Sequence, residues 1–537
     1  MLPKVYAAAM NKPRSRTVPA LLAEMVARDA AHLAIVDGEQ RLSYAQFAAK
    51  VLRAARALHA LGVRAGDRVG ILMGNRAEWL ILDFATMSLG AITVGLNTWA
   101  TAHELGYQLR HAQVKLLAIE PRFRNSDFRA LLAEARAQAD GLPALQTVVC
   151  TETPADDMMS YADLLRAADG VDAAVVATAS AAIEPTDVAC LLYTSGSTAL
   201  PKGVPLLHGG LIDNMWEIGE RQHLVADDKL WLSVSLFWSL ACVNALYAVM
   251  THGASIVLQH QFDAGEALLL IERERCTVFY GTPNMALALW EHPERTRHDL
   301  SSLRTGVTIG TPEQLRRVAA LGVEKICNVY GLTEAYGNSA VTDAELPLEQ
   351  RVLTVGRPLG GVEIRISDGE TCVPLPVNTA GEITIKGNVL PGYWNDPVRS
   401  AEAFTADGYF RTGDLGLIDD GGYLYYRGRL KELVKTGGIN VAPAEVEEIL
   451  STHPAVELAF VTGVPDARLD EALAAVIVTR AGATVSDTEL ANHCRATLAA
   501  YKTPRHFRFV DATVLPLTTT GKLKRNELPK LFEVEKG

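Results

Sequence analysis

The chain has 537 residues, 49% of them hydrophobic and 21% charged, and a formal net charge of -11 at pH 7. It is too long for one hydrophobic core, so two or more domains are expected, with the composition of an ordinary soluble globular protein. The acidic balance excludes a non-specific nucleic-acid binder, so bound phosphates must be met by local Lys, Arg, backbone N–H groups and metal.

In chain order, Lys4, Lys12, Arg14 and Arg16 make the start basic, but no long apolar core precedes a cleavage-like site, so no signal peptide is expected. The first clean signal spans 41–62. Ser43-Tyr44-Ala45-Gln46 is a capping box, Gly62 is a stop, and Phe47, Val51, Ala55, Leu58 and Leu61 share one helical face. A strand is predicted at 68–73, a helix at 78–88, a strand at 115–119 and a surface helix at 131–140. Residues 151–187, rich in Ala, Asp and Thr, read as a connector. Strand and helix signals alternate again over 204–303, with strands at 254–258 and 276–280. This alternation predicts an α/β body of layered, largely parallel sheets.

The uncharged stretch 230–250 is long enough to span a bilayer. It also holds Ser233, Ser235, Ser239 and Asn244, and it reads instead as a buried strand and helix. Residues 361–387, followed by Gly392-Tyr393-Trp394, read as a β-rich subdomain. Near 428 the periodicity restarts, over 444–451, 458–464, 473–478, 487–500 and 505–510. That predicts a small α+β C-terminal domain of about a hundred residues. The expected division is a body at 1–428, a hinge at 429–431 and a mobile lid at 432–537. The seven cysteines are scattered without CxxC or His-rich spacing, which fits a reduced cytoplasmic compartment better than a disulfide framework or a zinc site.

Chemistry concentrates at 190–203, CLLYTSGSTALPKG. A buried strand is followed by Thr194, Ser195, Gly196, Ser197 and Thr198, then by Lys202 and Gly203. Hydroxyls and unhindered N–H groups can wrap a phosphate, and the lysine adds a point charge. The nucleotide P-loop needs Gly-Lys-Ser/Thr opening a helix, and here Lys202 precedes Gly203. Read alone, the stretch is equally a polar turn after a core strand.

YTSGSTALPKG resembles the phosphate-loop signature of the adenylate-forming superfamily of acyl-CoA synthetases, luciferases and peptide-synthetase adenylation domains. Further stretches stand in that family's order: YGLTE at 330–334, GYFRTGDLG at 408–416, GRLKELVKTGGINVAPAEVE at 428–447 and TTTGKLKR at 518–525. The resemblance implies a two-step reaction. A carboxylate attacks the α-phosphate of ATP, giving acyl-adenylate and pyrophosphate, and the thiol of coenzyme A then displaces AMP. It implies Mg²⁺ on Glu334, the α-phosphate on Thr333, the ribose hydroxyls on Asp414 with Arg429, and nucleotide contacts at Gly310, Thr311, Tyr330 and Gly331. Lys522 would bridge the incoming carboxylate and the α-phosphate, Lys431 would be the hinge, and Gly437 and Gly438 would let backbone approach the pantetheine arm.

Three positions depart from the family pattern: Ala199 for Gly, Trp238 for a His gate, and Thr311 in a Gly-Ala-Pro type loop. All three lie on the ATP and carboxylate side. The acid-pocket candidates are Trp238, Ser239, Ala241, Asn244, Tyr280, Gly281, Thr308, Ile309 and Tyr336, with no obvious counter-charge among them. Trp238 stands where α-amino-acid-activating domains carry Asp, so a hydrophobic carboxylic acid is expected. The reading is an acyl-CoA synthetase using ATP, Mg²⁺ and coenzyme A, without nucleic-acid partner or integral membrane segment, and with homo-oligomerisation left open. Its rivals are a ligase specialised for the thiol step, a ligase acting on a carrier-protein thiol, a degenerate nucleotide- or acyl-binding protein, and a peripheral membrane protein.

Overall fold

The capping box at 43–46 starts a helix where the sequence predicts one. Ser43 Oγ accepts from Gln46 N at 3.2 Å, Gln46 Oε1 accepts from Ser43 N at 2.9 Å, and the helix Tyr44–Ala60 follows. Its face of Phe47, Val51, Ala55 and Leu58 is buried, and Leu61 is half-buried just past its end. The structure is a computed structural model that describes residues 11–152, 154–155, 157–194, 201–436, 439–466, 468–498, 500–517 and 523–533. Two compact units form, Met1–Ile364 with Ile385–Phe410, and Arg365–Thr384 with Arg411–Gly537.

The first unit is built on two sheets. Among the described residues, nine strands pair in the order Arg357–Pro358, Ala340–Val341, Lys325–Tyr330, Thr305–Thr308, Val278–Tyr280, Lys229–Leu232, Ser255–Leu258, Leu33–Asp37 and Gln40–Ser43. The run from Lys325–Tyr330 to Leu33–Asp37 is parallel throughout. Among the described residues seven strands form the second sheet, in the order Lys202–Leu207, Val188–Thr194, Ile92–Gly95, Arg68–Leu72, Leu116–Ile119, Thr147–Cys150 and Met159–Ser160. Only its first pair is antiparallel. Fully buried strands such as Ile92–Gly95 and Leu116–Ile119 are what a parallel sheet covered on both faces requires.

Two local expectations shift. The helix expected at 131–140 is Phe128–Arg136, because Asp127 Oδ1 accepts from Arg129 N and Ala130 N, both at 3.1 Å, and sets an earlier start. The stretch 151–187 is more than a connector: Ser160 caps the helix Tyr161–Arg166 and Asp172 caps Ala173–Ala181. The uncharged stretch after 229 is the strand Lys229–Leu232, a π-helical turn Leu240–Ala245 and the helix Leu246–Thr251. Among the described residues no helix is long and apolar enough to cross a membrane.

In the second unit, Phe410–Ile418 pairs antiparallel with Leu424–Arg429, placing Asp414 opposite Arg429. Beyond them, Ile439–Val441, Val434–Thr436, Asp470–Thr479 and Val456–Asp466 pair in that order, with His506–Phe509 parallel to Asp470–Thr479. The helices Pro443–Ser451 and Asp487–Thr497 bury Val446, Leu450, Leu490 and Cys494 with Val456, Val461 and Ile477 of this sheet.

Candidate active site

The strand hairpin Val188–Thr194 and Lys202–Leu207 ends with Thr194 paired to Lys202. Ser195, Gly196, Ser197, Thr198 and Ala199 of the expected phosphate loop lie outside the described residues, as do Gly437, Gly438 and Lys522. Lys202 is half-buried, and its Nζ stands 4.6 Å from the centroid of the Tyr393 ring and 3.5 Å from Tyr393 Oη.

A tight turn follows the strand Lys325–Tyr330. Tyr330 is buried, and a Cβ on Gly331 would lie 2.2 Å from the Gly337 carbonyl oxygen, so only glycine lets the chain fold back this closely. The short 3₁₀ turn Thr333–Ala335 then presents two half-buried side chains. Thr333 Oγ1 lies 3.2 Å from Ser239 Oγ. Glu334 Oε1 accepts from Tyr393 Oη at 3.0 Å, while Oε2 accepts no hydrogen bond among the described residues. Burial, reinforced by the facing Glu334, pushes the Tyr393 hydroxyl well above its ordinary value, so it stays protonated and donates. An uncommitted hard oxygen beside a hydroxyl fits magnesium, which takes few protein ligands and fills its shell with phosphate and water. Among the described residues no three His, Cys, Asp or Glu side chains gather as a protein-only metal site.

Residues expected to line the acid pocket adjoin this turn, through Ser239. Buried Asn75 holds the preceding loop, donating from Nδ2 to Val234 O and accepting at Oδ1 from Leu236 N, both at 2.9 Å. Trp238 and Phe237 meet the Trp99 ring edge-on, with centroids 5.2 and 5.1 Å away. The Arg124 guanidinium lies 5.7 Å over Trp99. Asn244, in the π-helical turn beside buried Ala241, donates to Tyr336 O at 2.7 Å. Burial pushes the Tyr336 hydroxyl up to about 12, and it accepts from Leu207 N at 3.1 Å. Thr308 donates to the buried Gly281 carbonyl at 2.9 Å. Tyr280 is fully buried with its hydroxyl accepting from Gln222 Nε2 at 2.7 Å, whereas Ile309 is exposed.

Thr311 has a local role. It caps the helix Pro312–Ala320 in a capping box with Gln314, after half-buried Gly310. Its hydroxyl therefore belongs to a helix start, which accounts for a polar residue there. In the second unit Asp414 is buried, its Oδ1 3.3 Å from Arg429 Nε, and Lys431 lies in the 3₁₀ turn Leu430–Glu432. Sequence reading missed Tyr393, Trp99 and Arg124. The Pro-Gly-Tyr-Trp turn at 391–394 was the one available sign of the first.

The profile of the AMP-binding enzyme family matches residues 22–394, and that of the AMP-binding enzyme C-terminal domain matches 445–522. The chain is 34% identical over 508 residues to a putative acyl-CoA synthetase, YngI, of Bacillus subtilis, covering 92% of each chain. It is 36% identical over 521 residues to the 3-[(3aS,4S,7aS)-7a-methyl-1,5-dioxo-octahydro-1H-inden-4-yl]propanoyl:CoA ligase of Mycobacterium tuberculosis, covering 96% of this chain and 99% of that one. The crystal structure of ATP-bound MatB from Rhodopseudomonas palustris superposes with a TM-score of 0.83 at 30% identity, over 96% of this chain and 99% of that one. The chain belongs to the AMP-binding enzyme family and is an AMP-forming acid–thiol ligase of the acyl-CoA synthetase kind.

Proposed function

We propose that the protein converts a hydrophobic carboxylic acid to its CoA thioester through an acyl-adenylate. The observation that carries this reading is the adjacency, within one turn, of Ser239–Thr333 on the acid side and Glu334–Tyr393–Lys202 on the phosphate side. An acid seated against Trp238, Trp99 and Ser239 brings its carboxylate to the hydroxyl expected to hold the α-phosphate. Positioning and charge stabilisation then lower the barrier.

In this reading Thr333 donates to the α-phosphate, and Lys202 with 194–198 meets the outer phosphates. Glu334 would hold magnesium, which supplies neutralisation of the phosphate charge. Gly310, Thr311, Tyr330 and Gly331 frame the base, and Asp414 with Arg429 takes the ribose hydroxyls. Lys522 bridges carboxylate and α-phosphate in the first step. Movement of 432–537 about Lys431 then exchanges it for Gly437 and Gly438, along which the CoA thiol enters. The scattered cysteines support a reducing, cytoplasmic setting.

The test is single-turnover thioester formation with CoA and a panel of apolar acids, started from acid with Mg-ATP and from preformed acyl-AMP. Product from both starts is expected. Product only from acyl-AMP would replace this reading with that of a thiol-step specialist, and no product from either would overturn the apolar-acid reading.

A further inference from the structure

The segment 390–394 reaches into the site from outside every motif that defines it. Leu390 N donates to Glu334 O at 2.7 Å, and Trp394 N donates to Gly203 O at 2.9 Å. One short stretch is thus fastened to both the turn carrying Glu334 and the strand carrying Lys202. Between those two anchors, Tyr393 is 8% exposed and its ring and hydroxyl meet both side chains. Its own backbone is fixed too, since Tyr393 N donates to Ser400 Oγ at 2.8 Å. Gly392 allows the approach: its φ is +148°, and a Cβ there would stand 3.0 Å from Ser400 Oγ.

We infer that Tyr393 is a positioning residue for the adenylation step, one that sets where the Glu334 carboxylate and the Lys202 ammonium stand relative to each other. This rests on the acyl-adenylate reading above. The hydrogen-bond polarity allows one arrangement. An ammonium only donates and a carboxylate only accepts, so Lys202 donates to Tyr393 Oη and Tyr393 donates to Glu334. Each bond polarises the next in the same direction. The ring face adds a cation–π contact that holds Lys202 when its hydrogen bond is long. With Oε1 occupied by Tyr393, Glu334 presents Oε2 in one orientation, and that is the oxygen left for a cation carried by the phosphates. Phenylalanine would keep the ring and lose the polarity, and leucine would lose both.

The experiment is calorimetric titration of ATP into the whole protein over a series of magnesium concentrations, for wild type, Tyr393→Phe and Tyr393→Leu. Tyr393→Phe is expected to raise the magnesium concentration for half-maximal ATP affinity by about tenfold, as loss of one bond to a charged group implies. At saturating magnesium it should bind ATP within about threefold of wild type, because the ring still carries Lys202. Tyr393→Leu should weaken ATP binding at every magnesium concentration. A wild-type magnesium dependence in Tyr393→Phe overturns the inference. So does a parallel loss at all magnesium concentrations in both variants with a lowered Tm, which marks a purely structural residue. The readout is binding, so failure of the ligase reading, seen as no acyl-adenylate from wild type, is scored separately.

Discussion

The Arg525 guanidinium grips the Glu447 carboxylate with two hydrogen bonds, Nη1 to Oε1 at 2.7 Å and Nη2 to Oε2 at 2.8 Å. The two residues come from the ends of two separate motifs, 428–447 and 518–525. Glu447 Oε1 also accepts from Val461 N at 2.7 Å, and Glu432 Oε2 lies 3.4 Å from Arg525 Nε. Burial alone would lower the Arg525 pKa, but the bond and charge of Glu447 reverse this, and it rises. The fork therefore ties the chain just after Lys522 to the helix Pro443–Ser451. Arg525→Leu is expected to destabilise this unit by about 2 kcal/mol, because it leaves a largely buried carboxylate without its cation. Arg525→Lys should recover less than half of that, since an ammonium cannot make the paired contact. Hydrogen exchange at Val461 and along Asp470–Thr479 is the measurement, and unchanged protection in Arg525→Leu would count against the role.

The aromatic corner makes a prediction about substrate. Trp238 and Trp99 meet edge-on at 69°, and in the proposed reading the acid seats against both rings. Trp99→Ala should shift kcat/KM toward longer or bulkier acids, by about fourfold for each added methylene that the new space accepts. Trp99→Phe should keep the wild-type order, because the edge-on contact survives the smaller ring. The check is a chain-length and ring-size series run on all three proteins. A uniform fall across the series, with no change in order, would place Trp99 outside the acid site.

Much of this was legible in the sequence, and the reasons differ by residue. The helix from Ser43 and the turn around Gly331 are written in local chemistry: a capping box in one, and in the other a motif whose glycine admits a contact no Cβ could survive. Parallel strands were legible because they are buried on both faces and read as short apolar runs. Tyr393 was not, because its function comes from contacts with residues 59 and 191 positions away in sequence, and no local pattern carries that distance. Trp99 reaches Trp238 across a similar gap. Thr311 looked like a departure in a nucleotide loop, and its capping bond to Gln314 shows that a helix start made its own demand at that position.

Gly331 gives a sharp backbone prediction. Gly331→Ala would force a methyl to 2.2 Å from the Gly337 oxygen and 2.4 Å from Asn338 Cα, so the turn must open. Both neighbours are backbone, and neither can rotate away. Thr333 and Glu334 would move together, and the expected loss in adenylate formation is at least about 100-fold, as for catalytic groups displaced by an ångström. Pyrophosphate exchange with the acid measures it. A loss under about threefold, with the protein folded, would mean that the turn's position is not critical.

Asp83, on the helix Ala77–Met87, predicts a pH effect on stability. It is 2% exposed, with Tyr247 Oη at 3.4 Å from Oδ2, and burial pushes its pKa from 3.8 up to about 7. The folded state therefore holds this proton more tightly than the unfolded chain. Between about pH 4 and pH 7 the native form binds more protons, so the contribution of Asp83 to stability falls as pH rises through that window and is flat above it. The span corresponds to about 4 kcal/mol. Asp83→Asn removes the charge while keeping the shape. Its Tm should gain on wild type steadily from pH 5 to pH 7.5, with the difference levelling off beyond. Urea unfolding at matched pH values is the second readout, and a difference independent of pH would show that Asp83 does not titrate in this range.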